Sequence, residues 1–385
     1  MTNYIPYSKQ TISKKDIKLV NKSLHSNFLT GGKYLNILEK KFNKYVGSKY
    51  ALACSSGTSA IFIAFKTLGL NEKSKVVIPA INFLASFNIA DILKSKIYIA
   101  DVDENTGQMT PRTLSDCIKK NKLKKIDLVI TMYNGGCPLN AEEFFKLKKK
   151  YKFKILEDAC HALGANYINS LKYKVGSCKF SDMCVFSLHP QKTITSGEGG
   201  IITTNKKKYY KKILIFRNHG IERKNNTKSF FHWKYIVNHS SFNFRLSEIN
   251  CALAISQLNR INLFLKNRKK IAKQYEILFK KNKNIILPFE HHKFNNAWHL
   301  FFLQIKKTSV FKRDRLIQWL YRKNILTQVH YIPIFYQPKY KYLKKNGRFA
   351  GAVTFFKRTI SIPIFPELSY KKVKYISKQI NNYLS

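Results

Sequence analysis

Between Tyr50 and Thr204, short apolar runs alternate with segments of helical periodicity. Ala51 to Cys54, Lys75 to Pro79, Lys96 to Ala100, Ile126 to Met132, Phe153 to Leu156, Met183 to Leu188 and Gly200 to Thr204 read as strands. Ala141 to Tyr151, with Phe144, Phe145 and Leu147 on one face, reads as an amphipathic helix between two of them. Near-continuous apolar strands separated by helices imply an α/β fold with a mostly parallel sheet covered on both faces. Ligands of such sheets bind beyond the carboxyl ends of the strands. From Arg245 the pattern changes. Leu246, Ile249, Leu253, Ile255, Leu258 and Ile261 recur at helical spacing and predict one long helix. Beyond residue 265 helix and strand signals mix, as in a smaller α+β domain. The expected division is a large domain over residues 1–245, N-terminal segment included, and a smaller one over residues 246–385.

Composition narrows the class. The chain has 385 residues, 44% hydrophobic and 14% aromatic, enough for a large core. A domain of that order buries roughly three-quarters of its unfolded surface. No apolar run reaches the ~18 residues of a membrane-spanning helix, and residues 1–15 are polar, without a signal-peptide stretch. Cys54, Cys117, Cys137, Cys160, Cys178, Cys184 and Cys251 show neither Cys-x-x-Cys nor zinc spacing, and read as reduced thiols of a cytoplasmic protein. Charge is extreme: 70 Lys plus Arg against 21 Asp plus Glu, formally +49. Such a field attracts polyanions. Yet the lysines lie in short clusters, at 119–125, 146–154 and 206–212, several on polar helix faces. No nucleic-acid-reading module accompanies them. A lysine-biased proteome explains the excess better than a specific nucleic-acid partner, and salt-sensitive polyanion binding is expected.

The residues that can carry chemistry sit at strand ends. Lys192 lies between the apolar run ending at Leu188 and a turn holding Gly197, Gly199 and Gly200. An amine held there is partly desolvated, which lowers its pKa and suits it to condense with an aldehyde. Ser55-Ser56-Gly57-Thr58-Ser59 joins a strand to a helix and offers hydroxyls and backbone N–H groups to a phosphate, or simply caps the helix. Glu157 and Asp158 end a buried strand; Asp158 suits a protonated pyridine nitrogen, or caps the next helix. His161 can bond a cofactor hydroxyl or rest in the core, and no His or Cys stands at zinc spacing from it. Phe83, just past Val76 to Pro79, can stack on a flat ring or pack the core. Asn243 and Arg245 precede the predicted long helix, with donors that suit a phosphate or a surface ion pair.

An amine, an acid for a ring nitrogen, a phosphate cradle and a stacking ring are the parts of a pyridoxal phosphate enzyme. Their order resembles the DegT/StrS family of nucleotide-sugar aminotransferases, pyridoxal phosphate enzymes of fold type I. The resemblance is carried by Ser-Gly-Thr-Ser-Ala at 56–60, Glu-Asp-Ala-Cys-His-Ala-Leu-Gly at 157–164 and Ser-Leu-His-Pro-Gln-Lys-Thr-Ile-Thr-Ser-Gly-Glu-Gly-Gly at 187–200. Arg-Asn-His-Gly at 217–220, Asn-Phe-Arg-Leu-Ser-Glu-Ile at 243–249 and Ile-Pro-Ile-Phe-Pro at 362–366 extend it. The resemblance implies that Lys192 binds the cofactor aldehyde and moves the proton, that Asp158 lies under the ring nitrogen and that His161 meets the ring hydroxyl. Gly57, Thr58, Ser59 and Ser187 then hold the phosphate, and Phe83 covers the ring. Asn243 matches the asparagine that reaches the phosphate from the neighbouring subunit, so a homodimer with shared sites is implied. Two positions depart from the pattern: Ser241 stands where the family commonly has Gly, and Leu188 where many members have Phe.

Within the family, Gln328-Val-His330-Tyr331-Ile332-Pro333 and Asn27-Phe28-Leu29-Thr30 resemble the pseudaminic-acid branch. That resemblance implies transfer from L-glutamate to the C4 ketone of a UDP-linked 4-keto-6-deoxy-N-acetyl sugar. Tyr7, Asn27, Phe28, Leu29, Thr30, His330, Tyr331, Ile332 and Pro333 would then contact sugar or diphosphate. Three other readings stand beside it. The substrate is another nucleotide 4-keto sugar, such as GDP-4-keto-6-deoxymannose or a dTDP-sugar. The enzyme is a sugar dehydratase of the kind in which histidine replaces the lysine, against which Lys192 argues. Or the chain is a basic, non-catalytic polyanion-binding protein.

Overall fold

Seven strands form where the apolar runs predict them in the computed structural model, which describes residues 4–222, 233–287, 289 and 295–384. They are β1 Tyr50–Cys54, β2 Lys75–Pro79, β3 Lys96–Ala100, β4 Leu128–Met132, β5 Lys154–Asp158, β6 Met183–Ser187 and β7 Gly200–Thr204. The sheet order is β1-β7-β6-β5-β4-β2-β3. β7 runs antiparallel to β1 and β6, and the other neighbours pair in parallel. One boundary shift matters for chemistry. Glu157 and Asp158 belong to β5 itself, because the ladder continues to pair Asp158 with Met132 on one side and Val185 on the other.

The period of two sends alternate residues to opposite faces. Val76 and Ile78 enter the core shared with Ile61, Ile63 and Phe65, whereas Val77 packs with Leu114, Phe144 and Phe153. The covering helices are α1 Lys14–Leu24, α2 Lys33–Val46, α3 Gly57–Leu68, α4 Ala85–Ile92, α5 Pro111–Lys120, α6 Ala141–Tyr151 and α7 Lys207–Arg217. Each large apolar side chain they bury contributes about 1.5–3 kcal/mol. α3 starts where it does because Ser56 accepts a bond from Ser59 N at 3.0 Å. It stops at Gly69, whose φ of +77° suits a residue without Cβ.

The predicted long helix is two helices, α8 Glu248–Leu258 and α9 Ile261–Phe279. Arg260 leaves helical geometry (φ −109°, ψ 4°) and its guanidinium bonds Asp16, with Thr11 O at 3.3 Å. A buried acid on α1 thus breaks an apolar repeat that is locally continuous.

β8 Ile221–Glu222 and β9 Ile236–Val237 form a short hairpin. β10 Ile285–Ile286, β11 Phe301–Ile305 and β12 Thr359–Ile362 form a second, antiparallel sheet. α10 Val310–Arg322 and α11 Ala350–Arg358 connect its last two strands, and α12 Tyr370–Leu384 packs back on α9. The N-terminal segment is threaded against this part: Ile5 N donates to Asn324 O at 2.8 Å, and Ile364 N to Tyr7 O at 3.0 Å. Gln328 and Ser361 exchange two backbone bonds, at 3.0 and 2.7 Å. These pairings bring Tyr7 and His330 to the carboxyl edge of the large sheet. Among the described residues, no helix is long and apolar enough to cross a membrane.

Candidate active site

A cavity of about 370 Å³ opens at the carboxyl ends of the parallel strands. Ser56, Gly57 and Thr58 follow β1; Phe83 and Ala85 follow β2; Met132 ends β4. Asp158, Cys160 and His161 come from the end of β5, and Ser187, His189, Gln191 and Lys192 from the end of β6. Tyr7, His299, His330 and Tyr331 close it from the N-terminal segment and the second sheet's side. The Tyr331 hydroxyl lies 3.0 Å from His161 Nε2, and the His299 ring lies against His161, tilted by 40° with centroids 4.3 Å apart. Tyr7 bonds Gln191 Oε1, and Ser8 Oγ donates to Gln191 O at 3.1 Å, so the N-terminus grips the loop that carries Lys192.

Burial sets the electrostatics. Desolvation lowers the Lys192 pKa, and Cys160 and Asp158 only partly oppose it. Burial also raises Asp158, against the pull of the Cys160 contacts and Lys192. The shared direction, toward neutrality on both partners, means that desolvation outweighs their mutual attraction. His330 is driven down to about 3, first by burial and then by Lys192. His161 and His299 are held well below 6.5, again mainly by burial, so the imidazoles around the amine are neutral near pH 7.

Of the residues singled out in the sequence, Tyr7, Gly57, Thr58, Phe83, Asp158, His161, Ser187, Lys192, His330 and Tyr331 line this one cavity. Ser59 lies beneath it, its Oγ 2.9 and 2.8 Å from those of Ser55 and Ser56. Asn243 is exposed outside the cavity, its Oδ1 accepting from Arg245 N at 3.2 Å. Asn27, Phe28, Leu29 and Thr30 are exposed too, anchored by Glu248 N to Leu29 O at 2.9 Å and a Thr30–Ser247 bridge. Ile332 is exposed and Pro333 buried, both beside the cavity wall. Ser241, at the glycine position, donates from Oγ to Phe216 O at 2.6 Å, which ties down the segment leading to Asn243. His299, Gln191, Cys160 and Met132 line the cavity as well. The sole sequence signal at His299 is an imidazole inside the apolar run Ala297 to Phe302.

Residues 10–381 match the DegT/DnrJ/EryC1/StrS aminotransferase family. The chain belongs to this family. It is 32% identical over 381 residues to the UDP-4-amino-4,6-dideoxy-N-acetyl-beta-L-altrosamine transaminase of Campylobacter jejuni subsp. jejuni serotype O:23/36, covering 99% of this chain and 97% of that one. It is 30% identical over 384 residues to the GDP-perosamine synthase of Escherichia coli O157:H7, covering 99% of each. Among solved structures, Helicobacter pylori PseC, an aminotransferase involved in the biosynthesis of pseudoaminic acid, superposes with a TM-score of 0.90 at 28% identity over 99% of both chains.

DegT/DnrJ/EryC1/StrS aminotransferases work with pyridoxal 5'-phosphate, and the cofactor of this one is pyridoxal 5'-phosphate. The residues present fit it. A Cβ at Gly57 would sit 2.9 Å from Ser187 Cβ, so its absence leaves a cradle at the α3 N-terminus, where an anion is favoured. His161 Nδ1 is buried without a bonded partner, and the Lys192 amine is desolvated beside an acid. Phosphate, ring substituents and aldehyde each find a matching group. As a sugar aminotransferase of this family, the chain takes a sugar substrate and an amino donor.

Proposed function

We propose that this aminotransferase moves an amino group from L-glutamate to the C4 ketone of a UDP-linked 4-keto-6-deoxy-N-acetyl hexose, in the assembly of pseudaminic acid or a related surface glycan. The desolvated Lys192 amine, facing Asp158 in one cavity, carries the chemical half of this reading. Full-length similarity to pseudaminic-type transaminases, at 32%, 31% and 30% identity, supports the substrate half.

Bound pyridoxal phosphate supplies the aldehyde carbon that carries nitrogen between donor and acceptor, and a ring that absorbs the electron pair of a deprotonated carbon. The chain's residues do the rest. Lys192, its pKa lowered by burial, would act as the base at the donor's α-carbon, holding the proton that the transfer moves. Asp158 would hold positive charge at the ring nitrogen. The α3 N-terminus with Gly57, Thr58 and Ser187, backed by Ser59, would hold the phosphate, and Phe83 would cover the ring. His161 would bond the ring hydroxyl and is steadied by Tyr331. Tyr7, His330 and Tyr331 face the sugar; Asn27, Phe28, Leu29, Thr30, Ile332 and Pro333 flank the nucleotide path.

In this reading Asn243 completes the site of a partner copy in a homodimer, since it lies outside its own chain's cavity. The seven cysteines are all free thiols, which supports a cytoplasmic enzyme. The deciding experiment incubates holoenzyme with glutamate and UDP-, GDP- and dTDP-linked 4-keto sugars and weighs the products by mass spectrometry. An amino sugar formed from the UDP substrate is expected. Turnover confined to the GDP or dTDP sugars would overturn the substrate assignment and leave the aminotransferase chemistry standing.

A further inference from the structure

Glu157 stands next to Asp158 in β5, and strand alternation sends its side chain to the opposite face of the sheet. It is 1% exposed. Hydroxyls surround its carboxylate: Tyr133 OH donates to Oε1 at 2.7 Å, Tyr167 OH lies 2.9 Å from both oxygens, and Ser181 Oγ donates to Oε2 at 3.0 Å. The Cys184 thiol adds a further bond, and among the described residues no cation pairs with it. A buried acid without a cation is an expensive way to fill space; a core built for packing alone would carry an apolar side chain there.

The donors come from three separate places. Tyr133 directly follows Met132 at the end of β4. Tyr167 lies in the loop after His161, its ring packed edge-on against Phe180 at 5.0 Å. Ser181 sits just before β6, which leads to Ser187. All three segments supply walls of the active-site cavity. Asp158, in contrast, is held from its own strand end: Oδ1 accepts from Cys160 N at 3.2 Å and the Cys160 thiol bonds it, with Lys192 beside it. Its direction is therefore inherited from the backbone of β5.

We infer that Glu157 is a positioning residue of this enzyme: by gathering Tyr133, Tyr167 and Ser181 on the far face of the sheet, it fixes the angle at which β5 presents Asp158 to the cofactor ring. The inference rests on Asp158 being the partner of the ring nitrogen. Glu157 touches neither cofactor nor substrate. It acts through the strand, as buried polar networks do when every member is satisfied.

The test compares Glu157→Gln, Tyr167→Phe and Asp158→Asn with wild type, as holoenzymes and as apoproteins. The pH midpoint of the bound cofactor's visible absorbance band and the pyridoxal phosphate affinity of the apoprotein are read beside kcat, KM and the melting temperature. Glu157→Gln is expected to move the absorbance midpoint in the same direction as Asp158→Asn, by less, and to lower kcat by up to about 100-fold with KM for the sugar unchanged. Tyr167→Phe, which keeps the ring, should move the midpoint the same way by a smaller amount, and it decides the matter if Glu157→Gln does not fold. A shift with Asp158→Asn, but only lowered melting in the other two, would show Glu157 to be structural and overturn the inference. No shift with Asp158→Asn would overturn the reading of Asp158 itself, and the Glu157 inference with it.

Discussion

The Tyr331 hydroxyl meets His161 Nε2 at 3.0 Å, a contact between residues 170 positions apart that spans the cavity from the second sheet's side to the end of β5. The Tyr331 ring also leans on Phe83, with centroids 5.8 Å apart. Tyr331→Phe preserves that packing and deletes the bond. A hydrogen bond of this kind contributes about 1 kcal/mol net, so the apoprotein's affinity for pyridoxal phosphate should fall about fivefold. Absorbance titration measures it. An unchanged affinity would mean that His161 needs no support from Tyr331.

Lys192→Ala separates chemistry from folding. Without the amine, turnover should drop by about 10³-fold or more, while borohydride reduction of wild-type holoenzyme should leave the label on Lys192. Recovery of the label on another lysine would remove Lys192 from its role. The folded protein holds Lys192 below its ordinary 10.5 because burial disfavours the charge. Between the lowered value and 10.5 the unfolded chain binds the extra proton, so this group's contribution to stability rises with pH through that window. At neutral pH the buried amine is therefore a liability. The Lys192→Ala apoprotein should melt at or above the wild-type temperature at pH 7, and a marked drop would contradict the desolvation account.

Three histidines make the apoprotein sensitive to acid. His330 sits near 3, and His161 and His299 well below 6.5, all chiefly through burial. Each depressed value means that the unfolded chain takes up a proton first as pH falls below 6.5. Their stability contribution is complete above that pH and drains away toward the folded values. The slope is at most about 1.4 kcal/mol per pH unit for each histidine. Glu157, Asp158 and Glu39 have raised values and act in the opposite sense from their ordinary carboxylate range upward, so between pH 6.5 and 5 the histidine share is read as the difference between wild type and a histidine variant. Urea midpoints of the apoprotein should fall across that range, and His299→Phe should flatten the fall by about one proton's worth. An identical slope in the variant would place the protons elsewhere.

Much of this site is legible in the sequence because its pieces are local. An apolar run of strand length followed by Ser-Gly-Thr-Ser or Glu-Asp-Ala-Cys-His carries both the strand and the group at its end. That is why Asp158 and Lys192 can be named before any fold is known. What escapes depends on distant partners. The apolar spacing runs unbroken from Leu246 to Ile261, yet the helix breaks at Arg260 because Asp16, 244 positions away, draws its guanidinium. His299 reads as one polar ring in an apolar run, and only tertiary approach sets it on His161. Ser59 shares a tripeptide with Thr58 but turns under the cap, a choice of rotamer that spacing does not encode.

Asn243 offers the sharpest test of a shared site. Its amide lies outside the cavity formed by its own chain, on the strand-like segment that Ser241 ties to Phe216. If it serves the site of a second copy, Asn243→Ala and Lys192→Ala damage opposite halves of one dimer. Each homodimer then has two impaired sites. A mixed dimer has one site carrying both changes and one carrying neither. Random re-pairing of the two variants should restore roughly a quarter of the wild-type sites, by the two-fold symmetry of such an assembly. Activity regained after mixing, absent from either variant alone, is the expected result. Were Asn243 to act within its own chain, every site in every dimer would keep one lesion, and mixing would restore nothing.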